Sequence, residues 1–225
     1  MINRFDALNN LTSADDEEIK EQITQYFEEM ELDEEEVKKR IGLAVDIEKG
    51  FRNLFILMLT AEIVGEALED RRDDFIDFVY HDYMDAMIDN GYSNDTYYSG
   101  VGYVEQYART RCKDIVDTAI LHKSDDYYFT VEHSLAIGED EGNAVGNYYR
   151  EQRAIAQGFT MKTWVTMKDN RVRHSHVLVD GRTIGIFDAF DVGNGQMMFP
   201  CDASLGISQK EIANCRCVCQ YSGKR

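Results

Sequence analysis

Residues 150–167, REQRAIAQGFTMKTWVTM, contain the change of pattern that decides the fold. The first half continues a helical pattern that runs from Glu141 to Gln157. Gly158 follows as a C-cap residue, because glycine readily adopts the left-handed conformation that ends many helices. From Lys162 the residues become β-branched and alternate in polarity, which is typical of a strand. The sequence therefore predicts an α+β protein that is helical before this point and β-rich after it.

Upstream of residue 158 the chain has the pattern of consecutive helices. The single proline, Pro200, lies far downstream, so this region lacks the residue that most strongly interrupts helices. Ser13 and Asp33 precede runs of acidic residues and are predicted N-caps. The helix after Asp33 is expected to continue through Leu68, with a kink near Gly50. Further helices are predicted at residues 73–90, 104–121, 126–137 and 141–157, and residues 92–102 are predicted to form a loop.

Downstream of residue 158 the pattern is one of short strands between turns rich in glycine, aspartate and asparagine. A unit of roughly 65 residues has little interior of its own. We therefore expect it to pack on the helices or to be held by a staple such as a metal ion. The predicted strands are residues 162–167, 177–179, 182–187, 196–199 and 215–221.

Charge divides the chain in the same way. The whole sequence has 24 basic and 42 acidic residues, a formal net charge of -18, yet residues 159–225 contain nine basic and only six acidic residues. Two regions are expected, an acidic helical region at 1–138 and a smaller module at 139–225. The acidity of the first region excludes a nonspecific nucleic-acid binder there, since phosphate binding needs lysine and arginine.

Targeting signals are not evident in the sequence. The N-terminus has no basic segment followed by an apolar run, and the most apolar stretch, residues 54–59, is far shorter than the roughly 20 residues of a membrane span. We expect a soluble protein made in a cytoplasm, with no membrane partner. Its five cysteines are then expected to be free thiols or metal ligands rather than disulfides.

The residues that could bind a metal lie in the C-terminal module. On an extended strand Cys215, Cys217 and Cys219 would share one face, and so would His174 and His176. Two thiolates with imidazole nitrogen form a zinc ligand set. Because side chains two apart on a straight strand are about 6–7 Å apart, buried cysteines and hydrogen-bonded histidines in a β core are the alternative.

An enzymatic alternative uses some of the same residues. Asp169, His176 (or His174) and Cys215 include the types of a Cys-His-Asp arrangement, in which imidazole activates the thiol and a carboxylate orients the imidazole. A metal- or thiol-dependent hydrolase centred on His176 and Cys215 is therefore a second hypothesis.

A series of short motifs in this module resembles the phage Mu F-like head morphogenesis, or minor head protein, family. The series matches that family in order, from about residue 139 to 221. Its elements are Lys162-Thr163-Trp164, Asp169 with Arg173-His174-Ser175-His176, Asp180-Gly181, Phe199-Pro200-Cys201-Asp202, and Glu211-Ile212-Ala213-Asn214-Cys215-Arg216-Cys217.

This resemblance implies a minor capsid protein of a tailed phage or prophage. Such a protein would be made in the bacterial host cytoplasm, reside in the virion head, and assist head assembly or DNA delivery. The implied partners are portal, major capsid or scaffolding proteins. A third hypothesis, separate from the resemblance, is contact of the C-terminal module with packaged DNA through Arg171, Arg173 and Arg182. Because the chain ends soon after Cys217, an appended toxin enzyme, as some relatives carry, is not expected.

The resemblance also implies which residues matter. Asp169, Arg173 and His176 are expected to form a buried polar network, and His176, Cys215 and Cys217 are the metal candidates, with zinc as the ion. Cys201 and Cys219 lie outside the family pattern and are not expected to be essential. The complete carried-over set is Trp164, Asp169, Arg173, His176, Gly181, Pro200, Asp202, Asn214, Cys215 and Cys217.

Overall fold

A computed structural model describes residues 3–92 and 102–224 and confirms the predicted α+β class. Within these residues six α-helices precede residue 158, and the part after it forms two one-turn helices and five short strands. The predicted loop at residues 92–102 lies almost entirely outside the described residues. The six long helices are α1 (Arg4–Thr12), α2 (Asp16–Glu28), α3 (Glu34–Ile63), α4 (Arg72–Asp89), α5 (Gly102–Leu121) and α6 (Val131–Ala156).

The helix starts show which side chains act as caps. Asp33 caps α3 as predicted, because its Oδ1 accepts a hydrogen bond of 2.9 Å from the Glu36 amide. The prediction for Ser13 is wrong, since this residue ends α1. Asp15 caps α2 instead, and its Oδ1 accepts from the amides of Glu17 and Glu18.

Two other helix boundaries differ from prediction. The long helix α3 runs unbroken through Gly50 but ends at Ile63, before a left-handed Gly65, rather than at Leu68. The helices predicted at 126–137 and 141–157 are one continuous helix, α6, preceded by a 3-10 turn at Asp126–Phe129. Gly158 ends α6 as predicted, with φ at +79°. Of the helices in the described ranges, none is long and apolar enough to cross a membrane.

Contacts between residues divide the chain into two units, each built from two segments. The first comprises Met1–Ile23 with Ile41–Gly138, and the second comprises Thr24–Arg40 with Glu139–Arg225. The division at 138/139 recurs here, but the C-terminal unit also contains the segment Thr24–Arg40, which the sequence assigned to the first region. Each unit is described by itself below.

The first unit is helical and has an aromatic and aliphatic core. Leu11, Phe51, Phe55 and Phe129 are buried, and the Phe55 and Phe129 rings meet edge to face at 6.0 Å. The unit also contains a buried ion pair, in which Arg52 Nε lies 3.0 Å from Glu48 Oε1. Ser134 donates a hydrogen bond of 2.8 Å to the same carboxylate, so the buried charge is satisfied.

The second unit contains a small antiparallel sheet in the order β2-β1-β5 and a separate hairpin of β3 with β4. The central strand β1 buries Lys162, Trp164 and Val165. The strands are β1 (Met161–Val165), β2 (Thr183–Gly185), β3 (Phe190–Val192), β4 (Gly195–Met197) and β5 (Val218–Ser222).

Two strand predictions in this unit need correction. Residues 177–179 are not a strand, because His174–Val177 form the one-turn helix α7 and the following residues form its exit turn. The strand predicted at 215–221 begins only at Val218. A second one-turn helix, α8 (Gln209–Ile212), precedes the residues that lead to β5.

Candidate metal centre

His176, Cys215 and Cys217 meet in the interior of the second unit. The Nδ1 atom of His176 lies 3.6 Å from the sulfur of Cys215 and 3.4 Å from the sulfur of Cys217. The three side chains are only 1%, 1% and 3% exposed. Among the described residues they form the group whose donor atoms all lie within 4.8 Å of one another, so they are the candidate metal ligands.

The chain reaches this geometry through a turn rather than through a strand. After α8, Asn214 adopts a left-handed backbone with φ at +53°, and its amide donates to Asp140 Oδ1 at 2.5 Å. The chain then passes through Cys215 and Cys217 before strand geometry begins. The turn therefore brings the two sulfurs to one imidazole, whereas Cys219 continues into β5 opposite Trp164.

Two amides of α6 hold the backbone of the cysteine segment. Asn143 Nδ2 donates to the carbonyl of Cys215 at 2.6 Å, and Asn147 Nδ2 donates to that of Cys217 at 3.1 Å. Both carboxamide oxygens accept from the guanidinium of the fully buried Arg40, which also lies 3.0 Å from Glu36 Oε1. The amides are thereby fixed in the orientation that points their N–H groups at the carbonyls.

The imidazole of His176 is oriented by its other nitrogen. Nε2 lies 3.3 Å from Glu211 Oε2, although it makes no well-directed hydrogen bond among the described residues. Ser175 donates to the same carboxylate oxygen at 2.6 Å and holds it in place. The Trp164 ring meets the imidazole edge to face at 5.5 Å. A carboxylate behind a histidine nitrogen is a common outer-shell arrangement at metal sites.

The sulfurs differ in their tendency to ionise. Interactions with Cys201, Cys217 and His176 hold the pKa of the Cys215 thiol well below its usual range. The neighbouring Cys215 and burial raise the pKa of Cys217. The pKa of the Cys201 thiol is also raised, by the neighbouring Cys215 and by burial. The protein surroundings alone thus favour one thiolate, and a cation would be needed to stabilise a second.

Cys201 lies beside the candidate ligands, although the sequence placed it outside the family pattern. Its sulfur donates to the carbonyl of Cys215 at 3.5 Å and accepts from Asn143 Nδ2 at 3.4 Å. Asn143, Asn147, Glu211 and Arg40 were likewise not predicted as site residues. The local sequence signals were the position of Cys201 between Pro200 and Asp202 and the position of Glu211 at the start of the last motif of the resemblance.

The remaining signature residues are engaged elsewhere. Asp169 pairs with Arg216 at 2.6 Å, and Arg173 donates to the carbonyl of Ala213, so these two side chains bond to partners other than His176. Asp202 accepts from the amide of Met198 at 2.9 Å and from Ser204. His174 is exposed on α7 and does not share a face with His176.

The three arginines predicted to contact DNA also have partners. Arg171 pairs with Glu29 at 2.6 Å and with Asp169 at 3.4 Å, and Arg182 lies 3.8 Å from Asp191. Arg171 and Arg173 line a small cleft beside His176, Cys215 and Cys217.

Comparisons with protein-family models, with curated proteins and with solved structures found no match to this chain.

Proposed function

We propose that this chain is a minor head protein of a tailed phage or prophage, which associates with the portal or the capsid interior and assists head assembly or DNA delivery. One observation carries the proposal. Trp164, His176, Cys215 and Cys217 come from three separate motifs of the resemblance, yet their side chains lie together in one buried cluster. A series of motifs that converges in space is a stronger indication of a shared module than the same motifs in sequence alone.

The size of the cleft favours a structural role for this unit. The space beside the cluster is about 10 Å³, which is the room that about one water molecule needs. The motif residues are tied to backbone groups, as Arg173 is to Ala213 and Asp202 to Met198. These contacts stabilise loops rather than present groups to a substrate.

The partner surfaces in this proposal are protein surfaces of the portal, the major capsid protein or a scaffold. The strongly acidic helical sequence supports docking to a basic partner, since acidic runs such as Asp33 to Glu36 begin helices and Glu34 and Glu35 are exposed. Contact with packaged DNA would compete with ion pairs that the arginines already form. Arg171 and Arg182 would first have to exchange Glu29 and Asp191 for phosphates.

The hydrolase alternative has one observation in its favour, the contact of Cys215 with an imidazole. The acid that faces His176 is Glu211 rather than the predicted Asp169. Assays of capsid-protein cleavage with wild type and Cys215→Ala separate the two ideas. Cleavage that disappears in the variant, with Cys112→Ala as the control for loss of a buried thiol, supports an enzyme.

The head-protein proposal is tested in the particle. The gene is deleted from the phage or prophage that encodes it, and purified particles from wild type are examined by mass spectrometry. We expect the protein in particles at low copy number and fewer infectious particles after deletion, restored by the gene in trans. A protein absent from particles, or unchanged assembly and infectivity after deletion, would overturn the proposal.

A further inference from the structure

We propose that His176, Cys215 and Cys217 bind one Zn²⁺ ion through Nδ1 and two sulfurs, with a water molecule in the fourth position. The inference rests on the geometry of the second unit and does not depend on the proposed function. It assigns to the cluster a ligand, an ionic charge and a role in holding the short strands and loops of this unit together.

The distances between donor atoms fit a tetrahedral zinc ion. Zinc bonds of about 2.3 Å to sulfur and 2.0–2.1 Å to nitrogen place two tetrahedral ligands about 3.6 Å apart. The observed separations from His176 Nδ1 are 3.6 Å to Cys215 and 3.4 Å to Cys217. The imidazole of His176 and each of the two sulfurs would therefore move little relative to each other when the ion binds.

Charge balance also fits. Two thiolates and a neutral imidazole offset the charge of Zn²⁺, so the loaded site has no net charge. A neutral site suits this cluster, which is only 1–3% exposed, because burying a net charge is costly. Binding releases the thiol protons to solvent as the two zinc–sulfur bonds form. The buried Nε2 of His176, which has no directed hydrogen bond among the described residues, faces Glu211 and can donate to it when Nδ1 carries the metal.

The fourth position faces the cleft. Its space of about 10 Å³ is lined by the three ligands and by Met167, Arg171, Val172, Arg173, Asn214 and Arg216, and it holds roughly one water molecule. Cys201 is adjacent to Cys215 but is not among the three residues whose donors lie within 4.8 Å of one another. We therefore assign Cys201 to the support of the site rather than to the ligands.

The irregular part of the second unit gives such an ion a structural role. The sheet has three strands of three to five residues, and the cysteine segment itself is irregular. A metal that joins α7 to the segment before β5 crosslinks residues 39 to 41 positions apart in the chain. Such a crosslink would stabilise these segments, as structural zinc does in other proteins.

The first experiment measures metal content and coordination in the full chain. Protein purified with reductant and without chelator is analysed for zinc, and chelator-treated protein is titrated with Co²⁺. We expect one zinc per chain and the thiolate charge-transfer and d–d bands of a tetrahedral cobalt site. Cys217→Ser and His176→Ala should each lower metal affinity by at least tenfold. Cys219→Ser, which removes a buried thiol of the same unit outside the cluster, and Cys112→Ser should retain full stoichiometry.

A second readout keeps the test informative if a ligand variant fails to fold. Trp164 is the only tryptophan of the chain and lies against His176. Its fluorescence should change with a one-to-one endpoint when Zn²⁺ is added to chelator-treated wild type, and the melting temperature should rise. Wild type that holds no zinc, gives no cobalt bands and shows no fluorescence endpoint would overturn the proposal. Retention of full stoichiometry in folded Cys217→Ser would also overturn it.

Discussion

Substitution of Gly146 by alanine should destabilise the second unit, although helix propensity predicts the opposite. Gly146 lies inside α6, where alanine is favoured over glycine by about 1 kcal/mol. A β-carbon at this position would lie 2.3 Å from Nε and 2.5 Å from Cζ of Arg40. Because carbon and nitrogen atoms in contact are normally about 3.5 Å apart, the guanidinium would have to move by roughly 1 Å.

That movement breaks a connected set of interactions. Arg40 is fully buried, and its contacts with Glu36 at 3.0 Å and Asn147 at 3.2 Å would be stretched beyond hydrogen-bond range. Disrupting a buried charge pair costs about 3–5 kcal/mol. After the gain of about 1 kcal/mol from propensity, we expect a net loss of about 2–4 kcal/mol in the free energy of unfolding.

The assay is urea unfolding followed by the fluorescence of Trp164, which reports on the unit that contains both residues. Gly50→Ala is the control for alanine in a helix, because its β-carbon would meet its nearest atom, the β-carbon of Asp82, at 3.2 Å. Since Gly50 belongs to the first unit, unfolding of this variant is followed by circular dichroism. The control should change stability by no more than about 1 kcal/mol. A Gly146→Ala protein as stable as wild type, or more stable, would refute the reasoning about Arg40.

Three further predictions concern pH, a buried ion pair and a helix cap. Burial raises the pKa of Glu151 from 4.5 to about 7, so the folded state binds its proton more tightly than the unfolded state. The stabilisation that this protonated carboxyl provides is complete below pH 4.5 and is lost as pH rises through 7. The free energy of unfolding of the second unit should therefore fall by about 3 kcal/mol over this range. The fall should be smaller in Glu151→Gln, which has no group to titrate at this position. Lys162 donates to Glu151 at 2.8 Å, so Lys162→Met should cost about 3–5 kcal/mol at pH 8 and less at pH 5, where Glu151 is protonated. Asp15→Ala should cost about 1 kcal/mol in thermal unfolding, and Ser13→Ala much less, because Asp15 caps α2.

For each of these three predictions a specific result would contradict it. Stability of the second unit that rises between pH 5 and pH 8, measured by Trp164 fluorescence in urea, would contradict the direction assigned to Glu151. The Lys162→Met, Glu151→Leu double variant should recover most of the loss of the single variant, and an additive loss would mean that the pair is not coupled. A larger cost for Ser13→Ala than for Asp15→Ala would restore the original cap prediction.

The sequence allowed the fold class to be predicted because its signals are local. The capping carboxylate of Asp33, the left-handed Gly158 and the alternation after Lys162 each act within a few residues, and each has the predicted conformation. Residues 177–179 were mistaken for a strand because an apolar triplet carries too little information to distinguish a strand from the end of a one-turn helix.

The candidate site was predicted only in part. The resemblance selected His176, Cys215 and Cys217, and the structure brings these three together. Strand alternation alone predicts Cys219 as a further ligand candidate, but Asn214 turns the chain before β5 begins. The supporting residues could not have been predicted, because Asn143 lies 103 positions from Arg40 and 72 from Cys215.

The discontinuity of the two units has a consequence for how the chain acquires its structure during translation. Ribosomal synthesis delivers Thr24–Arg40 long before Glu139–Arg225, the segment that completes the same unit. Arg40 and Glu36 must therefore wait, solvated and without Asn143 and Asn147, while about a hundred intervening residues are made. The first unit has all of its residues once Gly138 has emerged, so it can fold first. The second unit closes only when the cysteine segment near the C-terminus has left the ribosome, so chains terminated early would lack this unit altogether.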